Sequence, residues 1–238
     1  MENNLYGKKV IWNGDSICYG SAEAGNWATR IAERNAMTYK NYSAGGGTIA
    51  ENTPPLNGGY RRHSVSETLE RMYEEHPDAD YIMIEGGTND ADLLGNALEC
   101  AEETKLGSFK PFDFSGNYDA DTFCGGLESI FYRATKYWTG KKIGYIVAQK
   151  MGRSEKSYLN RRHYFDCAVE ICKKWGIPYV DLWNSCCINP NLDCFYVKEN
   201  SADDNKKMNI GYYTDGQHLT ANGYDITAET VENWMKNL

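Results

Sequence analysis

The stretch Lys9-Val10-Ile11-Trp12-Asn13-Gly14-Asp15-Ser16 decides the architecture. It opens on a short apolar run rich in β-branched residues, as a buried strand does. The run stops at Gly14, which permits a tight turn. Asp15 and Ser16 follow, and both residue types start helices by capping free N–H groups. Strand, glycine turn and helix start in immediate succession open a βαβ unit.

The same alternation continues down the chain. Further apolar runs predict strands at Tyr39–Ser43, Tyr81–Glu85, Ile143–Ala148 and Pro178–Leu182, besides Lys9–Trp12. Helical spacing is found between them at Trp27–Arg34, Val65–Tyr73, Thr122–Tyr137, Tyr158–Trp175 and Ala221–Met235. Strands alternating with helices imply a largely parallel sheet covered on both faces. Right-handed crossovers make it a three-layer α/β/α sandwich of five strands. No repeat, low-complexity linker or composition break divides the chain, so residues 1–238 read as one domain.

Composition fits this reading. Of 238 residues, 41% are hydrophobic and 24% charged, as in a soluble globular protein. The net charge of −8 argues against nucleic acid, whose phosphates need a basic footprint. The pairs Arg61-Arg62 and Arg161-Arg162 are too short to supply one. No apolar run approaches the roughly 20 residues of a membrane span. The N-terminal MENNLYGKKVIWNGDS has no apolar core behind a basic start, which points to a cytoplasmic protein unless an export signal was removed. The eight cysteines, at 18, 100, 124, 167, 172, 186, 187 and 194, then read as reduced, mostly buried thiols. Cys186, Cys187 and Cys194 include no C-x-x-C pair, so zinc is disfavoured and no metal or cofactor is expected.

Parallel sheets bind ligands beyond the carboxyl ends of their strands. The loops to inspect therefore begin near Gly14, Ala44, Gly86, Gln149 and Trp183. Ser16 stands in the first, where a capping role is the plain alternative to a chemical one. The second, Asn41–Thr48, carries three consecutive glycines that free backbone N–H groups, without the G-K-[ST] of a phosphate loop. The third, Glu85–Asp90, carries Asn89, whose amide can point into the cleft or satisfy a turn. Before the last helix, Asp215 and His218 lie three residues apart, close enough for the carboxylate to orient the imidazole. The other histidines are poorer bases. His76 precedes a proline, His163 sits in a helix beside two arginines, and His63, in an Arg-rich loop, could reach the site as a substrate contact. Two long segments remain, 90–119 with Phe109, Phe112, Phe114 and Tyr118, and 183–213. The aromatic residues of the first suggest ordered packing or a pocket wall.

In this order the blocks GDSICYG, NYSAGGGT, GGTND and DGQH resemble the SGNH hydrolases, also called GDSL lipases and esterases. The resemblance spans nearly the whole chain, with Ile17 in place of the family's leucine. It implies a flavodoxin-like sandwich and a serine esterase acting through an acyl-enzyme. Ser16 would match the nucleophile, with Asp215 and His218 as acid and base. The Ser16 and Gly46 N–H groups and the Asn89 side chain would match the oxyanion donors. The expected partner is a small-molecule or carbohydrate ester, and mixed Tyr, Trp and polar loops favour short acyl groups such as acetyl. Two other readings keep the fold: an acyltransferase, and a non-catalytic carbohydrate- or partner-binding module. A nucleotide binder using the glycine loop would leave the ordered Ser, Asn, Asp and His unexplained.

Overall fold

The computed structural model describes residues 4–56, 58–94, 106–152, 154–195 and 211–238. Its elements run β1 (Lys9–Asn13), α1 (Ser16–Tyr19), α2 (Trp27–Asn35), β2 (Thr38–Asn41), α3 (Val65–Glu75), β3 (Tyr81–Glu85) and α4 (Thr88–Leu94). They continue with α5 (Phe123–Tyr137), β4 (Lys142–Val147), α6 (Glu155–Trp175), β5 (Tyr179–Asp181), α7 (Leu182–Ser185), a 3-10 turn (Asp193–Phe195) and α8 (Ala221–Met235).

The sheet has the order β2-β1-β3-β4-β5 and every pairing is parallel. This is the flavodoxin-like order, whose direction of winding reverses between β1 and β3. Right-handed crossovers then put α2 on one face and α3, α5 and α6 on the other. The packing agrees: α2 meets α8, while α3 meets α5 and α5 meets α6. A central strand so covered must be apolar on both sides, and all five residues of β3 are buried.

Capping fixes where the helices start. Asn26, Ser64, Thr122, Ser154 and Thr220 each accept a backbone N–H in the first turn of α2, α3, α5, α6 and α8. Thr122 therefore lies outside α5 rather than within it. With Ser154 as its cap, α6 starts at Glu155, three residues before the expected Tyr158. At the sheet edge, β2 ends at Asn41, two residues earlier than its sequence suggests. The Asn41 side chain accepts the Ser43 N–H at 3.0 Å, which bends the backbone out of the ladder. The short helices α4 and α7 carry too little apolar periodicity to be read in advance, and α1 announces only its start, at Asp15-Ser16.

Two contacts anchor α8 to the start of the chain. Trp27 Nε1 donates to Thr227 Oγ1 at 2.9 Å, and the Tyr224 hydroxyl donates to the Ile17 carbonyl at 2.8 Å. Across the sheet, a Cβ on Gly144 would stand 2.4 Å from the Trp234 ring, so glycine in β4 lets that indole approach.

The aromatic segment before α5 packs on α6. Phe114 and Tyr118 meet Trp175 edge-on, and the Lys174 ammonium lies 5.2 Å from the Phe114 ring. That ammonium is paired with Glu128, and both side chains are 3% exposed. Phe112, at 92% exposure, stays outside apart from an edge contact with Phe114. A separate cavity of about 390 Å³ there is lined in part by Lys110, Asp113, Tyr118 and Glu128.

Cys18, Cys124, Cys172 and Cys186 are buried thiols and Cys167 is half-buried, but Cys187 and Cys194 are exposed, because both lie in the loops after β5. Cys100 lies outside the described residues. Among the described residues no group of three His, Cys, Asp or Glu side chains could hold a metal ion, and no helix is long and apolar enough to cross a membrane.

Removing one member of a buried ion pair strands the other charge, which typically costs about 3–5 kcal/mol. Glu128→Ala should therefore destabilise the protein by about that amount, whereas Phe112→Ala should leave the urea midpoint almost unchanged.

Candidate active site

Ser16 is the first residue of α1, and Asp15 is the cap, its Oδ1 accepting the Ile17 N–H at 2.7 Å. The capping alternative for this motif thus belongs to Asp15, which leaves the Ser16 hydroxyl free. That hydroxyl lies 2.9 Å from His218 Nε2. His218 Nδ1 lies 2.7 Å from Asp215 Oδ2. The loop holding these two residues is tight rather than helical. Asp215 Oδ1 accepts the N–H groups of Gln217 and His218 at 2.9 and 2.8 Å, and Thr214 N–H donates to the His218 carbonyl at 3.0 Å. An antiparallel bridge between Tyr213 and Leu219 closes its base.

The electrostatics follow. The hydrogen bond that His218 donates to Asp215 raises His218 above its ordinary value against the opposing effect of burial, and the charges of Asp215 and Asp15 add to the rise while Arg161 opposes it. Burial would lift Asp215, but the His218 side chain and two backbone N–H groups outweigh it and hold that carboxyl well below the usual range.

The second and third loops are stitched to the first. Ala44 N–H donates to the Gly14 carbonyl at 3.2 Å, and Asn89 Nδ2 donates to the Gly47 carbonyl at 2.8 Å. An amide nitrogen carries two hydrogens, so one remains for a ligand. The Gly47 N–H is engaged with Ala44 O at 3.1 Å. Gly46 has φ +72°, a conformation that favours glycine, and a Cβ there would displace the ends of the Leu56 and Arg62 side chains.

Several supporting residues escape the sequence. Asp90, fully buried, accepts the Ile49 and Ala50 N–H groups at 3.0 and 2.9 Å and so clamps the chain beyond the glycines. Burial, opposed by those two bonds, pushes its carboxyl up to about 7. Arg62 holds the Gly46 carbonyl at 3.0 Å. Arg161, 4% exposed, pairs with Asp92 and donates to Gln217 Oε1 at 2.7 Å, bracing the Asp215–His218 loop from α6. Gln149 Nε2 donates to the Gln217 carbonyl at 3.0 Å from the loop after β4. The motif GGTND contains Asp90, but its partners lie forty residues away in sequence and no local pattern discloses them.

His63 does not reach forward as a substrate contact. Its Nε2 bonds Asn13 Oδ1 at 2.8 Å, and its ring lies behind Gly47, where a Cβ would come within 3.1 Å of it. Burial, aided by the Arg71 charge, lowers it to about 4, so it is neutral and supports the glycine loop. His76 caps the end of α3 and His163 is exposed on α6. Neither meets Ser16.

Beside Ser16 and His218 opens a cavity of about 390 Å³. Ser21, Glu23, Thr214 and Thr220 give it polar groups, and Leu219 and Tyr224 give it apolar ones. The aromatic segment 106–122 supplies none of this wall.

A flavodoxin-like sheet with a Ser–His–Asp chain at its switch point defines a class of α/β hydrolases. The sequence profile of the GDSL-like Lipase/Acylhydrolase family matches residues 13–226, and the chain belongs to that family of carboxylic ester hydrolases. Its fold is shared by a Lactobacillus plantarum protein at TM-score 0.71 and 18% identity, over 98% of this chain and 99% of that one. A lipase/acylhydrolase from Enterococcus faecalis matches at 0.59 and 17%, over 97% and 96%. A carbohydrate acetylesterase from Sinorhizobium meliloti matches at 0.58 and 14%, over 97% and 99%. No curated protein matches the sequence.

Asp90 gives the site a pH signature. Its folded value lies above the ordinary carboxylate range, so between about 4 and about 7 the folded protein keeps a proton that the unfolded chain has released. Its contribution to stability is present at low pH and falls as pH rises through that window. Relative to Asp90→Asn, which cannot titrate, the wild type should lose stability between pH 5 and pH 8 in urea denaturation.

Proposed function

We propose that the protein hydrolyses short-chain acyl esters, acetyl groups on carbohydrates among them, with Ser16 as nucleophile. The observation that carries this reading is the continuous hydrogen-bond chain from Ser16 through His218 to Asp215. It ends beside the glycine loop and Asn89, at the carboxyl ends of β1, β2 and β3.

In this mechanism His218 Nε2 takes the Ser16 proton as Oγ attacks the ester carbonyl. Asp215 fixes the tautomer, because its bond to Nδ1 leaves Nε2 free to accept. The imidazolium that forms is stabilised by Asp215 and then gives its proton to the departing alcohol oxygen. The oxyanion accepts bonds from the Ser16 and Gly46 N–H groups and from the second hydrogen of Asn89 Nδ2. Water then attacks the acyl carbon as His218 removes its proton, and His218 returns that proton to Ser16 Oγ as the acyl–oxygen bond breaks and the carboxylic acid leaves. A cavity of about 390 Å³ suits a small substrate, and its hydroxyl and carboxylate lining suits a hydroxylated one.

The test is turnover of p-nitrophenyl esters of graded chain length beside acetylated xylo- and gluco-oligosaccharides. Ser16→Ala should abolish it while leaving the fold intact, and rates should fall as the acyl chain lengthens. Asn89→Ala should cost about 10²–10³ in kcat, the usual effect of losing one oxyanion donor. A folded wild type inert on every ester, or an active Ser16→Ala, overturns the proposal. His218 must be neutral to act as base and is raised by Asp215, so kcat/KM should rise with pH through a value above the ordinary 6.5 of histidine. Asp215→Asn should abolish most activity and lower that value.

A further inference from the structure

Beneath Ser16 lie two carboxyl groups that the mechanism above does not use. Asp15 and Glu85 are both 0% exposed. They come from neighbouring strands, since β1 pairs with β3 in a register that sets Asn13 beside Ile84. Glu85 Oε2 accepts the Asp15 N–H at 3.1 Å, and Asp15 Oδ1 accepts the Ile17 N–H at 2.7 Å. These bonds hold the backbone on either side of Ser16. A Cβ on Gly14 would stand 2.6 Å from Glu85 Oε2, so the glycine of the motif is the space into which this carboxyl fits.

The remaining oxygens expose the problem. With both groups written as carboxylates, Asp15 Oδ2 and Glu85 Oε1 have no hydrogen-bond partner, and neither touches solvent. Two facing carboxylates in such a place cannot both be ionised. The side chains approach closely enough to hydrogen-bond each other, and one proton shared between them supplies the donor that two carboxylates lack.

The surroundings say which group keeps the proton. Asp15 takes the Ile17 N–H, has the Thr88 hydroxyl within hydrogen-bond reach, and lies near enough to His218 and Asp90 to feel their charges. The groups that feel the Glu85 charge, Cys18 on α1, Tyr145 on β4 and Tyr224 on α8, are all uncharged at neutral pH. Burial and the Asp15 charge both push Glu85 well above the usual carboxylate range.

We propose that Glu85 is a neutral acid donating its proton to the Asp15 carboxylate, and that this pair is a positioning device for the nucleophile. It holds the turn that carries Ser16 and sets one buried negative charge below His218. That charge acts with Asp215 on its own loop and against Arg161 from α6. The inference on His218 rests on the esterase reading, whereas the shared proton does not.

Three variants test it. Glu85→Leu removes donor and acceptor and should lower kcat/KM by more than about tenfold. Glu85→Gln keeps an N–H for Asp15 Oδ2 and a carbonyl for the Asp15 N–H, so it should recover most of that loss. Asp15→Asn removes the charge and should move the acid limb of the pH profile to lower pH. Independently of activity, infrared spectroscopy near pH 8.5, where Asp90 at about 7 is ionised, should show the carbonyl band of a protonated carboxylic acid in wild type and Ser16→Ala. The band should be absent from Glu85→Gln. No such band in folded wild type, a Gln variant no better than Leu, or an unmoved acid limb in Asp15→Asn would overturn the proposal. An inert wild type that still shows the band would sink the esterase reading and leave the shared proton standing.

Discussion

The hydrogen bond between Ser16 and His218 joins residues 202 positions apart in sequence, and most of the architecture exists to make it short. One partner rides on the turn after β1, held by a strand in the middle of the sheet. The other rides on a loop outside the sheet, ahead of α8. Their meeting requires α8 to pack at a fixed height on α2. Trp27 with Thr227, and Tyr224 with the Ile17 carbonyl, set that height. The Asp215 turn then shapes the last few ångströms. A small shift of α8 would lengthen the bond without touching either residue.

The other half of the site depends on β1 and β3 being neighbours. Their pairing brings the glycine loop and Asn89 to one place, and it also forces Asp15 and Glu85 together under the turn. The same adjacency that assembles the donors thus creates a buried polar knot. Burial of this kind is costly unless every oxygen is satisfied, which is why Asp15, Glu85 and Asp90 all collect backbone N–H groups.

The sheet and its long helices were legible because their signals are local. The apolar run Tyr81–Glu85 and the helix Ala221–Met235 coincide with their observed limits. Strand ends were less clear where a side chain overrode the pattern, as Asn41 does in capturing the Ser43 N–H. The residues brought together at the site were also legible, as four motifs in a fixed order. Their supports were not. Arg161 reads as half of a surface pair, yet it is buried against Asp92 and Gln217, because burial of an arginine depends on partners from other segments. His63 looked like a candidate contact until its bond to Asn13 turned it inward. The aromatic residues before α5 pack on Lys174 and Trp175 of α6, and Tyr118 lines a cavity there, but none of them lines the one beside Ser16.

The order of the chain also has a consequence in time. Ser16 is synthesised 202 residues before His218, and before the helix that locates that imidazole. Domains fold as units during or after synthesis, and here the proposed proton acceptor, His218, is out of reach of Ser16 until α8 docks. A nascent chain therefore carries a seryl hydroxyl with no partner to activate it. Under the proposed mechanism, attack on an acyl group must wait until the fold has closed.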